Sequence, residues 1–212
     1  MVMDKDMEEM SSMKTKTSFY SEDELRTIGF KSLGHEVYVS KKCSIYSPEN
    51  ISIGSYVRID DFCILSGSIS IGSYVHIAAY SALYGGDGDG ILICDFVTLS
   101  SRNVIYSATD DYYGNGLSNP LFPDKYRNIY EKKVVLEKHS LIGTGCTILP
   151  GAHILEGTSV GAMSMIKKEI GPWGVYAGNP PRKIGDRKRE LLSLERIVID
   201  DMKFGLRKRN VK

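Results

Sequence analysis

The sequence has 212 residues, and its 27 lysines and arginines nearly cancel its 26 aspartates and glutamates, leaving a net charge of +1. That length suits one domain with a sizeable core, and so even a balance sets up no field favouring nucleic acid or a membrane surface as a partner. No apolar run approaches the roughly 20 residues of a bilayer-spanning helix, and Cys43, Cys63, Cys94 and Cys146 lie too far apart for a C-x-x-C zinc pair or a small disulfide framework.

In chain order, residues 1–18 form a polar leader in which Met3, Met7, Met10 and Met13 carry no evident function. It lacks the basic start and apolar stretch of a secretory signal, which points to a reduced, cytoplasmic protein. Ser21 through Glu24 is a capping box that opens a short helix before Lys31. Residues 19–185 are expected to form one domain, and 186–212 a C-terminal helix with a basic tail.

From Ile53 the chain keeps a period of six: Ile59, Leu65, Ile71, Ile77 and Leu83 follow in frame. The frame shifts across the glycine-rich turn 85–90, where Asp87 and Asp89 lack the remaining residues of a calcium loop. It resumes at Ile93, Leu99 and Ile105, breaks, and returns at Leu136, Ile142, Ile148, Ile154, Val160 and Ile166. All fifteen framed positions are Ile, Leu or Val, and the fourth residue after a frame is often small, as at Val57, Cys63, Ala152, Thr158 and Ser164. A helix would repeat near 3.6 and a simple strand at 2. Period six predicts short strands wound around a triangle, three hexads to a coil, with Ile53 under Ile71 and Leu136 under Ile154. Cys63 and Cys146 then face the core, and Gly54, Gly72, Gly143 and Gly161 are expected to mark tight corners.

An excursion over 109–133 interrupts the coils, and its Tyr, Phe, Asn and Pro content predicts a packed irregular loop, either a cap on a neighbouring subunit or a wall of an active site. From Asp186 to about Phe204, Leu191, Leu192, Leu194, Ile197 and Ile199 recur at helical spacing, and the last eight residues read as a frayed basic tail.

Over residues 19–187 the chain resembles the left-handed β-helix acyltransferases, especially the sugar and nucleotide-sugar acetyltransferases. The segments FYSEDELRTIGF, VRIDDFCILSG, YVHIAAYSALYGG, IYSATDDY, LSNP, LIGTGCTILPGAHI and WGVYAGNPPRKI carry the likeness. It implies an all-β, left-handed parallel β-helix, a homotrimer with active sites between subunits, and acetyl-CoA as cosubstrate without a metal. Absence of the helical domain found in serine acetyltransferases argues against serine as acceptor.

The family's motifs also imply a site. Pantetheine would pass Thr144, Ala162 and Ser164, with the Thr144 amide polarising the thioester oxygen. Gly178 and Pro180 would shape the turn over the adenine, and Lys168 and Arg182 would meet the 3′-phosphate, although Pro181 replaces the family's alanine. Asp110 stands where sugar O-acetyltransferases place a histidine base, and Arg102 where some carry an asparagine. A carboxylate titrating near pH ~4 is a poor base for an alcohol, whereas a neutral amine needs little help. The reading tilts toward N-acetylation of a nucleotide-linked amino-deoxysugar for surface polysaccharide, with O-acetylation of a sugar as the alternative.

His76, outward in the column of Arg58, is the second candidate base. His153 is placed in the column of Asp110, where a His–Asp pair could form, and His139 reads as structural. Asp60, Asp61, Arg102, Asp111 and Tyr112 are the candidate acceptor contacts. Two readings from other classes compete: a trimeric metallohydratase, which needs three converging histidines, and a non-catalytic repeat scaffold, which needs no phosphate-binding motif.

Overall fold

A computed structural model describes residues 18–209, with side chains from 18 to 202. The methionines of the leader, Met3, Met7, Met10 and Met13, lie outside the described residues, as do 210–212. Strands of mostly two or three residues stack in three largely parallel sheets of six, eight and six strands, which form the faces of a triangular prism. The register follows the predicted coil: Ile53 pairs with Ile71, Ile59 with Ile77, Leu65 with Leu83, and Leu136 with Ile154. All fifteen framed residues are buried and none is more than 4 % exposed. At about 1.5–3 kcal/mol for each fully buried aliphatic side chain, this column is the main source of stability. Cys63 and Cys146 are fully buried beside it.

The corners differ from expectation. Gly54 and Gly72 do not adopt a left-handed backbone. They are glycine because the coils touch there: a Cβ on Gly54 would sit 2.6 Å from the carbonyl carbon of Gly72. Some left-handed corners are glycines, such as Gly145 and Gly157, but others carry large side chains, with φ of 59° at Tyr56, 60° at Tyr74 and 58° at Phe96. Such a conformation is costly for a bulky residue on its own. Stacking offsets the cost, with ring centroids 4.9 Å apart for Tyr56 and Tyr74 and 4.5 Å for Tyr74 and Phe96. The ladder continues through His139 to Trp173.

Each end of the prism has its own closure. At the start, helix α1 (Glu22–Ile28) has the predicted capping box, with the Ser21 hydroxyl accepting from Glu24 N and the Glu24 carboxylate accepting from Ser21 N. Leu25 of α1 is buried in the core cluster, and residues 18–20 cover the outer edge of strand Tyr38–Val39 through the bridge of Phe19 to Ser40. At the far end, strand Gly174–Ala177 closes the second sheet and pairs antiparallel with Arg182–Asp186. Of that second strand only Asp186 was expected in the C-terminal helix. Helix α2 instead spans Leu191–Arg209, taking in part of the tail expected to fray. The Arg187 guanidinium donates to the carbonyls of His139 (2.5 Å) and Gly157 (3.1 Å), which holds the chain extended up to α2. On α2, Glu195 turns to the body of the prism, while Leu194 (60 %), Ile197 and Val198 stay exposed.

The excursion is more ordered than the irregular loop predicted. Ala108–Asp110 and Ile129–Glu131 form an antiparallel hairpin stem, closed at its base by Lys132 N donating to Ser107 O. The coil beyond resumes in frame, Ile93 pairing with Leu136. Asp110 therefore leaves the stack, and its column passes to other residues: His153 pairs across from Val135 and bonds Glu137, with 2.7 Å from Nε2 to the carboxylate. The His153–Asp110 pair expected from the sequence does not form.

Candidate active site

Three places carry the predicted site residues. The first is a cleft of about 340 Å³ at the C-terminal end of the third sheet, lined by Met165–Lys168, Ile170 and Asn179–Arg182. It exists because the third sheet ends at Met165–Ile166 while the second continues into Gly174–Ala177, so the turn 178–181 overhangs the last strand. Lys168, Pro180 and Arg182 are among its lining residues. Among the described residues neither Lys168 nor Arg182 forms an ion pair, and both are exposed. Thr144, Ala162 and Gly178 stack at the corner leading to this cleft, Thr144 O accepting from Met163 N. Thr144 and Ala162 are exposed there.

Ser164 departs from its predicted ligand contact. It is 1 % exposed, and its hydroxyl donates to Gly161 O (2.8 Å) and accepts from Gly178 N (3.0 Å). These two bonds hold the overhanging turn onto the coil.

The second place is the hairpin. Asp110 ends its first stem strand, half exposed, 4.0 Å from the guanidinium of Arg127. Arg127 also reaches Asp124, yet its Nε is buried without a hydrogen-bond partner. Asp111 accepts from Tyr113 N, Asn115 N and the Asn128 side chain, and these bonds hold its carboxyl below the ordinary carboxylate range. Asp111 thus builds the hairpin tip, leaving little acceptor capacity for a substrate. Tyr112, in contrast, is 88 % exposed.

The third place is the outer face of the second sheet. His76 sits across from Arg58 as expected. Asp60 accepts from both, at 2.9 Å from His76 Nε2 and 2.7 Å from Arg58 Nε. Burial opposes ionisation of Asp60, but these two bonds outweigh it and hold its carboxyl below its ordinary value. Asp61 is engaged by Ser40 and Lys42, which lower its carboxyl likewise. Arg102 is an exposed left-handed corner on the same edge, φ 63°. His76 pairs with Asp60 and Asp110 with Arg127, so the two candidate bases share no hydrogen bond or ion pair.

The histidines do not converge. His35 contacts Ser55, His76 contacts Asp60, His139 contacts Glu195 and His153 contacts Glu137. His139 is 5 % exposed, in keeping with its structural reading. Among the described residues, no group of three His, Cys, Asp or Glu is arranged to hold a metal, and no helix is long and apolar enough to cross a membrane. Sequence reasoning passed over Arg127, whose distance from Asp110 in the chain hid their proximity, and Glu131, which accepts from Gly88 N at 2.8 Å and ties the hairpin to the glycine-rich turn.

A prism of hexads with a basic cleft at one end and a long excursion beside it is the architecture of hexapeptide-repeat acyltransferases, and comparison with known proteins supports that class. No protein-family model matches. A dTDP-4-amino-4,6-dideoxy-D-glucose acyltransferase of Escherichia coli is 42 % identical over 183 residues, covering 85 % of this chain and 94 % of the relative. The crystal structure of AntD, an N-acyltransferase from Bacillus cereus in complex with dTDP and 3-hydroxybutyryl-CoA, is 52 % identical with a TM-score of 0.84, over 88 % of this chain and 99 % of AntD. A galactoside O-acetyltransferase of Lactococcus lactis is 31 % identical over 47 % of this chain and 53 % of its own length. A hexapeptide-repeat acetyltransferase of Vibrio cholerae, 21 % identical with a TM-score of 0.54, shares the fold. The chain belongs to the family of dTDP-4-amino-4,6-dideoxyglucose acyltransferases.

Proposed function

We propose that the chain transfers an acyl group from acyl-CoA to the amino nitrogen of dTDP-4-amino-4,6-dideoxyglucose, with acetyl-CoA as donor. The observation that carries this is the near full-length match to an N-acyltransferase solved with that same amino-sugar nucleotide and coenzyme A. The amine nitrogen attacks the thioester carbonyl, the C–S bond breaks, and the surplus proton leaves nitrogen, giving an amide and free CoA thiol. Asp110 is the proposed acceptor of that proton or holder of the ammonium before attack. The neighbour was studied with one serine and one aspartate replaced, ten positions apart; two pairs keep that spacing at the root of the excursion here, Ser100 with Asp110 and Ser101 with Asp111.

Lys168 and Arg182 are proposed to bind the phosphate of CoA, with Thr144, Ala162, Gly178 and Pro180 guiding pantetheine and adenine and the Thr144 amide facing the developing oxyanion. His76 with Asp60 is the second candidate proton acceptor, and Arg102 and Tyr112 are the proposed acceptor contacts. Assembly as a homotrimer, with sites completed between subunits, belongs to the same proposal. Its support is the apolar surface of α2 and the hairpin tip, where Tyr113 is 95 % exposed. A cytoplasmic place in surface-polysaccharide assembly is part of the same proposal.

The test supplies acetyl-CoA or 3-hydroxybutyryl-CoA together with the amino-sugar nucleotide, a hydroxyl-only nucleotide sugar, or a galactoside. Thiol release and product mass are read. The amide product is expected from the amino-sugar with acetyl-CoA; ester formed on a hydroxyl acceptor, without amide, would replace this reading by O-acylation.

A further inference from the structure

We propose that the outer face of the third sheet holds the pyrimidine base of the acceptor in a slot over Ser66, between the rings of Tyr46 and Tyr84; this rests on the acceptor reading above. Four strands of that sheet place one residue each in a single outward column, and the pairings are Tyr46 to Ser66, Ser66 to Tyr84, and Tyr84 to Tyr106. The column is a ladder of tyrosines with one rung missing. Its intact part shows the spacing: Tyr84 and Tyr106 stack with centroids 5.0 Å apart and planes 11° from parallel. Neighbouring strands lie about 4.8 Å apart, so Tyr46 and Tyr84 are separated by roughly 10 Å along the column. A planar ring centred above Ser66 would meet each tyrosine at about the distance at which Tyr84 meets Tyr106, within the range of offset stacking.

The missing rung is open. Ser66 is partly exposed and Tyr46 is 58 % exposed, although a buried pair of rings at this spacing would be the cheaper arrangement. Elsewhere in the molecule a similar gap is filled from within: where Gly145 interrupts the column of large corner residues, the Met163 sulfur lies over it, 2.6 Å from where a Cβ would stand. Tyr46 and Tyr84 receive no such neighbour from Ser66. Base stacking between aromatic side chains is sequence-tolerant and strong enough to anchor one end of a nucleotide.

Position supports the assignment. Tyr106 lies two strand spacings, about 10 Å, beyond Ser66, and its chain runs directly into the stem strand Ala108–Asp110. The same sheet ends at Met165–Ile166, whose residues line the basic cleft. One face therefore carries, in order, the slot, the root of Asp110 and the cleft, with the base at one end and CoA at the other.

The experiment is calorimetric titration of the full chain with dTDP, using CoA as the second ligand. Ser66→Phe fills the rung and Tyr46→Leu removes one wall. Each is expected to weaken dTDP about tenfold or more while CoA affinity holds. Tyr46 is exposed, so Tyr46→Leu decides the matter should Ser66→Phe fail to fold. If both variants bind dTDP as the parent does, the slot is wrong and the acceptor reading stands. If the parent chain itself does not bind dTDP, both fall. A changed assembly mass for Ser66→Phe with unchanged dTDP affinity assigns the gap to a second copy of the chain and overturns the proposal.

Discussion

The coils and the hairpin of 108–131 are built on opposite principles. In the coils, each framed residue is surrounded by its own kind one coil above and below, and Leu99, Ile105 and Leu136 are fully buried. In the hairpin, a short antiparallel stem carries a tip in which Tyr112, Tyr113 and Leu121 face solvent, and order comes from polar turns around Asp111. The coils complete themselves within one chain. The hairpin keeps apolar surface and an incompletely bonded Arg127 next to the half-exposed Asp110. Stability and chemistry are thereby separated, and the two can be perturbed independently.

The largest effect should come from the coils. Leu99→Ala removes side-chain volume from a fully buried position and is expected to cost about 2–5 kcal/mol, read by denaturant unfolding. Tyr113→Ala, at the hairpin tip, should stay within about 0.5 kcal/mol. Equal losses would break the separation. Asp110→Asn should leave the melting temperature alone and lower kcat about a hundredfold or more, within the range of general acid–base effects, with KM for acyl-CoA unchanged; a kcat near the parent value would transfer the role to His76. Ser164→Ala lies between the two regimes. It strips Gly178 N of its acceptor, with an expected loss of about 1–3 kcal/mol and a raised KM for acyl-CoA, because the overhanging turn loosens.

The smallest effect concerns the first cap. Lys41 and the Ser21 amide lower the Glu24 carboxyl to about 2. A depressed carboxyl contributes stability that is present above its unfolded value, near 4.5, and is lost as pH falls toward about 2. Fraying of α1 within that window, followed by proton resonances of α1 and without loss of the coil signals, is the expected course. The carboxyl is exposed, so the effect should be slight and weaken with salt.

The coils were legible because each hexad repeats the same demand, and one aliphatic residue in six is enough to set frame and register. Large aromatic residues three places beyond the frame, Tyr56, Phe62, Tyr74, Tyr80 and Phe96, also recur in the sequence, at five of the fifteen such positions. Their meaning was missed because bulky residues rarely take left-handed backbone, and only the ring stack makes it tolerable. The hairpin was hidden for another reason: Ala108 pairs with Glu131 across a tip with no repeat, so nothing local announces the partner. Placing Asp110 in the column of His153 followed from cutting the excursion one strand too late. Lys168, Pro180 and Arg182, singled out by family resemblance, come together around one cleft, whereas Ser164 shows that a small inward residue serves the scaffold first.

The two closures of the prism carry a further consequence. A stack of identical coils has no natural length: its last strand offers the same backbone groups as its first, and any copy can add to it. Here residues 18–20 and Leu25 obstruct one end, and the antiparallel strand Arg182–Asp186 turns the other aside. These few residues block end-to-end addition at both edges of the second sheet, so the length of the prism is set by its ends as much as by its repeat.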